Sequence, residues 1–110
     1  MDSRKTLHEL CDALGVSRRA VQGYEKAGLV LASGRNKYGH LLYDAKAQKR
    51  IARIRLYQQM GFTIKEIKEL IDAPKPAVKS ALEQQVLRLR AEQVQIEALI
   101  QKAYELIDAT

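Results

Sequence analysis

The chain has 110 residues, of which 46% are hydrophobic and 29% charged, with 6 Gly, 2 Pro, one Cys and no Trp. That length holds one domain, or one small domain with an extension, and the composition excludes a disordered tail, a collagen and a disulfide scaffold. Nineteen Lys and Arg against 13 Asp and Glu leave a formal +6, which raises nucleic acid or an anionic surface as partner.

Cys11 is the single cysteine, so no internal disulfide points to secretion. No apolar run approaches the ~20 residues needed to span a bilayer, and a periodic segment begins directly after Lys5, where a signal peptide would stand. A cytoplasmic location without membrane association is expected. The charge is unevenly placed. Residues 1–75 carry 15 Lys and Arg against 8 Asp and Glu, a net +7, whereas residues 76–110 carry 4 against 5. Both prolines, Pro74 and Pro76, lie at that boundary. A basic binding module over 1–75 and a separate helix over 76–110 are the expected organisation.

In chain order, Thr6 and Glu9 have the spacing of a capping box. Leu7, Leu10, Cys11 and Leu14 then recur at helical spacing, and Gly15 supplies a left-handed cap. Ser17 opens a second helix with Val21 and Tyr24 inward, running to about Ala27 and closed by Gly28. Two short helices joined at Gly15 and Val16 form a helix-turn-helix candidate. Leu29–Leu31 and His40–Tyr43 flank the polar stretch 32–39 and read as a small hairpin, a wing in this position. Asp44 caps a third helix to about Met60, with Ile51, Ile54 and Tyr57 or Gln58 on one side. The basic residues Lys46, Lys49, Arg50, Arg53 and Arg55 spread around its other faces, mostly as a solvated surface. Gly61 ends it, and Thr63 with Glu66 forms a second capping box opening a helix with Ile64, Ile67, Leu70 and Ile71 inward.

From about Ala77 to Ala109 there is no Gly or Pro. Leu82, Val86, Leu89, Gln93, Ile96, Ile100, Ala103 and Ile107 alternate spacings of four and three, the seam of a coiled coil in a helix of about 48 Å. Leu87, Val94, Leu99 and Leu106 widen the stripe. A small module cannot bury such a face alone, so a dimer is expected. Gln93 at a core position either fixes the register or lies where water enters.

The run of Thr6, Leu7, Glu9 and Leu10, then Gly15–Ser17, Tyr24–Glu25, Gly28–Val30, Arg35, Gly39, Tyr43, Gly61–Thr63 and Glu66–Ile67 resembles the DNA-binding domain of MerR-type transcription regulators. The resemblance covers residues 6 to about 72. It implies a mainly α protein: a winged helix-turn-helix with a small β-hairpin wing, followed by a long helix that pairs antiparallel with its twofold mate. It further implies a homodimer on a palindromic promoter element of double-stranded DNA, acting through RNA polymerase by bending and untwisting the promoter spacer. Two departures stand out. Gln22 and Gly23 occupy positions where the family usually has an Arg and an aromatic, and His40 and Leu41 stand where it usually has a Tyr and an Arg. The chain ends without the effector region or cysteine loop that members usually append, as a minimal regulator or a truncated one.

The DNA-contacting candidates begin with Ser17, Arg18 and Arg19 at the start of the recognition helix, where Arg suits guanine or phosphate and the helix N-terminus favours phosphate, and continue with Gln22 further along it. Tyr24 either gives its hydroxyl to a phosphate or packs the two helices together. Arg35, Asn36, Lys37, Tyr38 and His40 form the wing contacts. Tyr43 is a phosphate donor by resemblance, with a core role as the alternative, and Lys65 reaches the backbone from the fourth helix or is simply solvated. His8 and His40 have no ligand constellation beside them in sequence, and Cys11 reads as a small core residue. No metal site or cofactor is expected, and no catalytic motif is present. The other readings are an accessory module for heterodimers and an architectural, excisionase-like DNA protein.

Overall fold

The computed structural model describes residues 3–110 and divides into two compact units, one ending at Ile71 and one spanning Asp72–Thr110. The first contains β1 (Lys5–Thr6), α1 (Leu7–Leu14), α2 (Arg18–Lys26), β2 (Gly34–Arg35), β3 (Leu41–Tyr43), α3 (Ala45–Gln59) and α4 (Ile64–Leu70). The second is one helix, α5 (Lys75–Ala109).

Each helix of the first unit starts on a side-chain cap. Thr6 and Glu9 exchange bonds, with the Thr6 amide donating to Glu9 Oε1 at 3.0 Å and the Glu9 amide to Thr6 Oγ1 at 3.3 Å. Thr63 and Glu66 repeat the arrangement on α4, at 3.0 and 3.2 Å. Ser17 caps α2 by accepting from the Ala20 amide, and Asp44 caps α3 by accepting from the Ala47 amide. These bonds satisfy amides that the first helical turn leaves without backbone partners.

The ends of α2 and α3 share one device. At α2, Gly28 turns left-handed, its amide returns to Glu25 O, and the Leu29 amide returns to Tyr24 O. At α3, Gly61 and Phe62 do the same to Gln58 O and Tyr57 O. This is the Schellman motif, which needs a residue free of a β-carbon clash at the turning position. Phe62 then sits edge-on to Tyr57 with ring centroids 5.8 Å apart.

The core comes from every helix of the unit. Leu10 of α1, Val21 of α2, Ile51 and Ile54 of α3 and Ile67 of α4 are fully buried. Val16, Tyr24, Leu29, Val30, Leu42, Tyr43, Ala47, Tyr57, Phe62 and Leu70 complete it, so four of the chain's six aromatic residues are buried beside the aliphatic ones.

The sheet differs from the predicted hairpin. It has three strands in the order β1-β3-β2, all antiparallel, with Lys5 opposite Tyr43, Thr6 opposite Leu42, Gly34 opposite Leu42 and Arg35 opposite Leu41. The first wing strand is Gly34–Arg35 rather than Leu29–Leu31. Leu29 and Val30 are instead drawn into the core directly after the α2 cap, and Leu31 is 79% exposed. Thr6 therefore does two jobs, ending β1 and capping α1, so the wing is pinned to the start of the helix-turn-helix.

Helix α5 begins two residues earlier than the spacing predicts. Pro74 is the N-cap, and Pro76 falls in the first turn, where a missing amide costs no helical bond. Leu82 is half-buried, while Val86, Leu89, Ile96, Ile100 and Ile107 are exposed along the seam, as are Gln93 and Ala103. Leu87, Val94, Leu99 and Leu106 are between 65% and 70% exposed. No helix among the described residues is long and apolar enough to cross a membrane.

Candidate nucleic-acid interface

The recognition helix turns Val21 and Tyr24 inward and leaves Arg18, Arg19, Gln22, Gly23 and Lys26 exposed. Ser17 Oγ takes the Ala20 amide at 3.0 Å. The remaining free amides of the first turn, the positive end of the helix dipole and Arg18 and Arg19 then stand together, the arrangement that attracts a phosphate or a base edge.

The wing tip is built around Asn36. Its Oδ1 accepts the amides of Tyr38 at 2.9 Å and His40 at 3.0 Å, while its own amide donates to His40 O at 2.9 Å. Gly39 completes the turn with φ +84° and donates to Asn36 O. Arg35 Nη1 donates to Gly39 O at 2.6 Å, tying the strand to the tip. Lys37 Nζ lies 5.1 Å above the Tyr38 ring, and the Tyr38 and His40 rings are 6.4 Å apart. Arg35, Lys37, Tyr38 and His40 are exposed and Asn36 is half-buried. A rigid loop thus presents two cations and two rings to solvent.

Helix and wing meet. Arg18 of α2, Thr6, Leu7 and His8 at the start of α1, and Gly39, His40 and Leu41 of the wing line one cavity of about 340 Å³. Its walls bring together residues 6 to 41 in sequence, so the predicted reader and the predicted wing share one surface. Lys65 is exposed in the first turn of α4, outside that cavity.

Two predicted contacts lie elsewhere. Tyr24 and Tyr43 are 3% and 1% exposed, and each hydroxyl proton is given to another part of the unit. Tyr24 donates to Gln58 Oε1 at 2.6 Å, joining α2 to α3, and Tyr43 donates to Glu25 Oε1, joining β3 to α2. Burial pushes both phenols above their usual value, with the Arg55 charge opposing the shift at Tyr24 and the Glu25 bond and charge adding to it at Tyr43. Both hydroxyls therefore bond within the unit, Tyr24 to α3 rather than to the other helix of the helix-turn-helix. Glu25 and Gln58 had no sequence signal as their partners, being 18 and 34 residues away.

Other groups support the scaffold. Asp44 N donates to Ser33 Oγ at 3.0 Å, and Gln48 Nε2 donates to Ser3 O and Tyr43 O, both at 2.8 Å. Arg50, expected among solvated cations, is half-buried and donates through Nε to Leu29 O. Lys46, Lys49 and Arg53 remain exposed. Cys11 is half-buried and its thiol is pushed up by burial. His8 pairs with Asp12 at 3.5 Å on the exposed side of α1. Among the described residues no group of three or more His, Cys, Asp or Glu forms a metal cluster.

Comparison with known proteins places this geometry. The profile of the MerR HTH family regulatory protein matches residues 5–74, and the profile described as MerR, DNA binding, matches residues 48–102. The nodulation protein NolA of Bradyrhizobium sp. (strain NC92) is 38% identical over 69 residues, which are 63% of this chain and 29% of that protein. The chain thus spans about three tenths of the length of the curated nodulation relatives it matches. MtaN, the N-terminus of the multidrug transporter activator of Bacillus subtilis, is similar with a TM-score of 0.73 at 26% identity, over 94% of this chain and 97% of that one. HiNmlR, a regulator lacking the sensor domain and solved on promoter DNA, shares the fold with a TM-score of 0.74 at 19% identity, over 88% and 78% of the two chains.

Proposed function

We propose, since this chain belongs to the MerR family of helix-turn-helix regulatory proteins, that it is a sequence-specific regulator of transcription that binds double-stranded DNA. The observation that carries this reading is the shared surface of α2 and the wing, where Arg18 meets Gly39 and His40 across one cavity within a module of net +7. Phosphate contacts from Ser17, Arg18, Arg19, Arg35 and Lys37 set the register, while Gln22 faces base edges. Asn36 holds the wing tip in shape, Tyr38 and His40 lie against the sugar-phosphate backbone, and Lys65 adds a further phosphate contact. HiNmlR, which has the same fold, was solved on promoter DNA, and this supports the same class of ligand here.

The working unit is a homodimer. The exposed seam of α5 gives each chain an apolar face of Leu, Ile and Val suited to a second copy in an antiparallel coiled coil. Two modules so joined match a palindromic promoter element, and contacts from both let the dimer bend and untwist the spacer for RNA polymerase. The role is regulatory rather than enzymatic, needs no cofactor, and belongs in the cytoplasm.

The test is fluorescence anisotropy of a labelled promoter duplex at two salt concentrations. Binding at low salt that weakens steeply as salt rises is expected. Absence of binding at low salt overturns the reading.

A further inference from the structure

Gly23 stands in the interior of α2, on its exposed side, where nothing in the chain calls for a glycine. The other five glycines have positive φ; Gly23 does not. A β-carbon placed on it meets no atom within 4 Å. Alanine fits there and would make a more stable helix, because glycine gives up more backbone freedom on folding. The residue weakens α2 without serving the fold, so its use lies in whatever comes up against that face.

Its neighbour defines what that is. Gln22 is exposed beside it, one turn after Arg18 and three residues after Arg19, both also exposed. A carboxamide offers one donor and one acceptor side by side, which matches N7 and N6 of adenine, whereas guanine presents two acceptors in the same groove. A glutamine reads that edge only if the helix seats close to the base pairs, and a step without a side chain allows the closest seating. The flanking cations Arg19 and Lys26, four residues before Gly23 and three after, are long enough to take phosphates while the bare step lies against the bases.

Resting on the DNA-binding reading above, the geometry points to Gln22 and Gly23 as the specificity-determining pair of α2: Gly23 lets the helix backbone seat against an A·T base pair, and Gln22 holds the adenine through N6 and N7.

The experiment uses the full chain and its Gln22→Ala, Gly23→Ala and Gly23→Leu variants. The wild type first selects duplexes from a random pool, and all four proteins are then titrated against the selected duplex and against versions altered one base pair at a time. An A·T pair at one fixed half-site position is expected for the wild type. Gly23→Ala melts a few degrees higher than wild type yet binds every duplex about tenfold more weakly, and Gly23→Leu more weakly still. Gln22→Ala keeps its melting temperature and loses about tenfold of the preference at that one base pair. Equal affinity of Gly23→Ala and wild type overturns the proposal, as does an unchanged base preference in Gln22→Ala. Failure of the wild type to bind any duplex at low salt overturns the DNA-binding reading, and this proposal with it.

Discussion

The Tyr43 hydroxyl donates to Glu25 Oε1, so the last residue of the central wing strand is bonded to the recognition helix. The same helix is held to α3 by Tyr24 and Gln58 at 2.6 Å. Two phenols thus fix the orientation of the elements that face outward, from inside.

Removing the first of these bonds costs stability and accuracy together. Tyr43→Phe leaves the Glu25 carboxylate without its donor, and a bond to a charged group of this kind is worth about 1.5–3 kcal/mol. A drop of that size is expected in chemical denaturation, with weaker DNA binding as the wing loosens from α2. The same phenol gives a pH signature. Its folded-state value lies above the ordinary 10.0 because burial, then the Glu25 bond, favours the neutral form. The folded state therefore holds the proton more tightly, so this stabilisation is complete below about pH 10 and is lost as pH rises through the folded-state value. Alkaline unfolding of the wild type is expected to be steeper than that of Tyr43→Phe, and equal slopes would contradict this.

Asn36 orders the wing tip through its side chain as well as its backbone, its Oδ1 accepting the Tyr38 and His40 amides. Asn36→Ala is expected to speed hydrogen exchange at Tyr38 and His40 while the melting temperature changes little, since the tip is at the surface. DNA affinity falls because the loop must then be ordered on binding. Unchanged exchange at those two amides would show that the turn holds without the side chain.

Arg18 and Arg19 are assigned charge contacts, and that assignment has a countable consequence. Each phosphate neutralised contributes about 0.9 to the slope of log K against log salt concentration for duplex DNA. Arg19→Ala is expected to lower that slope by about one per module while affecting all sequences alike. A variant that changes base preference with an unchanged slope would move Arg19 from phosphate to base contact.

The proposed dimer face lies on α5, outside the residues of the first unit. Ile96 and Ile100 are 57% and 41% exposed in the single chain, so Ile96→Glu with Ile100→Glu costs the isolated fold little. Four like charges in the paired seam oppose association. A monomer with unaltered helix content by circular dichroism is the expected outcome, and a persistent dimer would place the interface elsewhere.

What was legible beforehand follows the physics of each element. The capping pairs Thr6 with Glu9 and Thr63 with Glu66 are local, three residues apart, and stand in the structure as their spacing predicts. Gly28 and Gly61 likewise end α2 and α3 through bonds within six residues. The sheet was harder. A two-residue strand has no periodicity, and Gly34–Arg35 has little intrinsic strand preference; it pairs because Leu41 and Leu42 are presented to it. Leu29–Leu31 has the apolar run of a strand, yet Leu29 and Val30 are worth more in the core, with the Leu29 carbonyl taken by Arg50. Tyr24 and Tyr43 were ambiguous because a tyrosine has an apolar body and a polar tip, and only the distant Gln58 and Glu25 decide where the tip goes. On the proposed DNA-facing side, the exposure of Arg18, Arg19, Gln22, Lys37 and Tyr38 follows from their helical and turn positions, whereas the cavity that joins Arg18 to His40 is a product of packing.

Analytical ultracentrifugation of the full chain with a labelled duplex carrying two inverted half-sites tests the central reading most directly. A free protein of twice the 12.5 kDa chain mass, and a complex of two chains on one duplex, are expected. A monomer in free solution that loads one chain at a time onto isolated half-sites would contradict it.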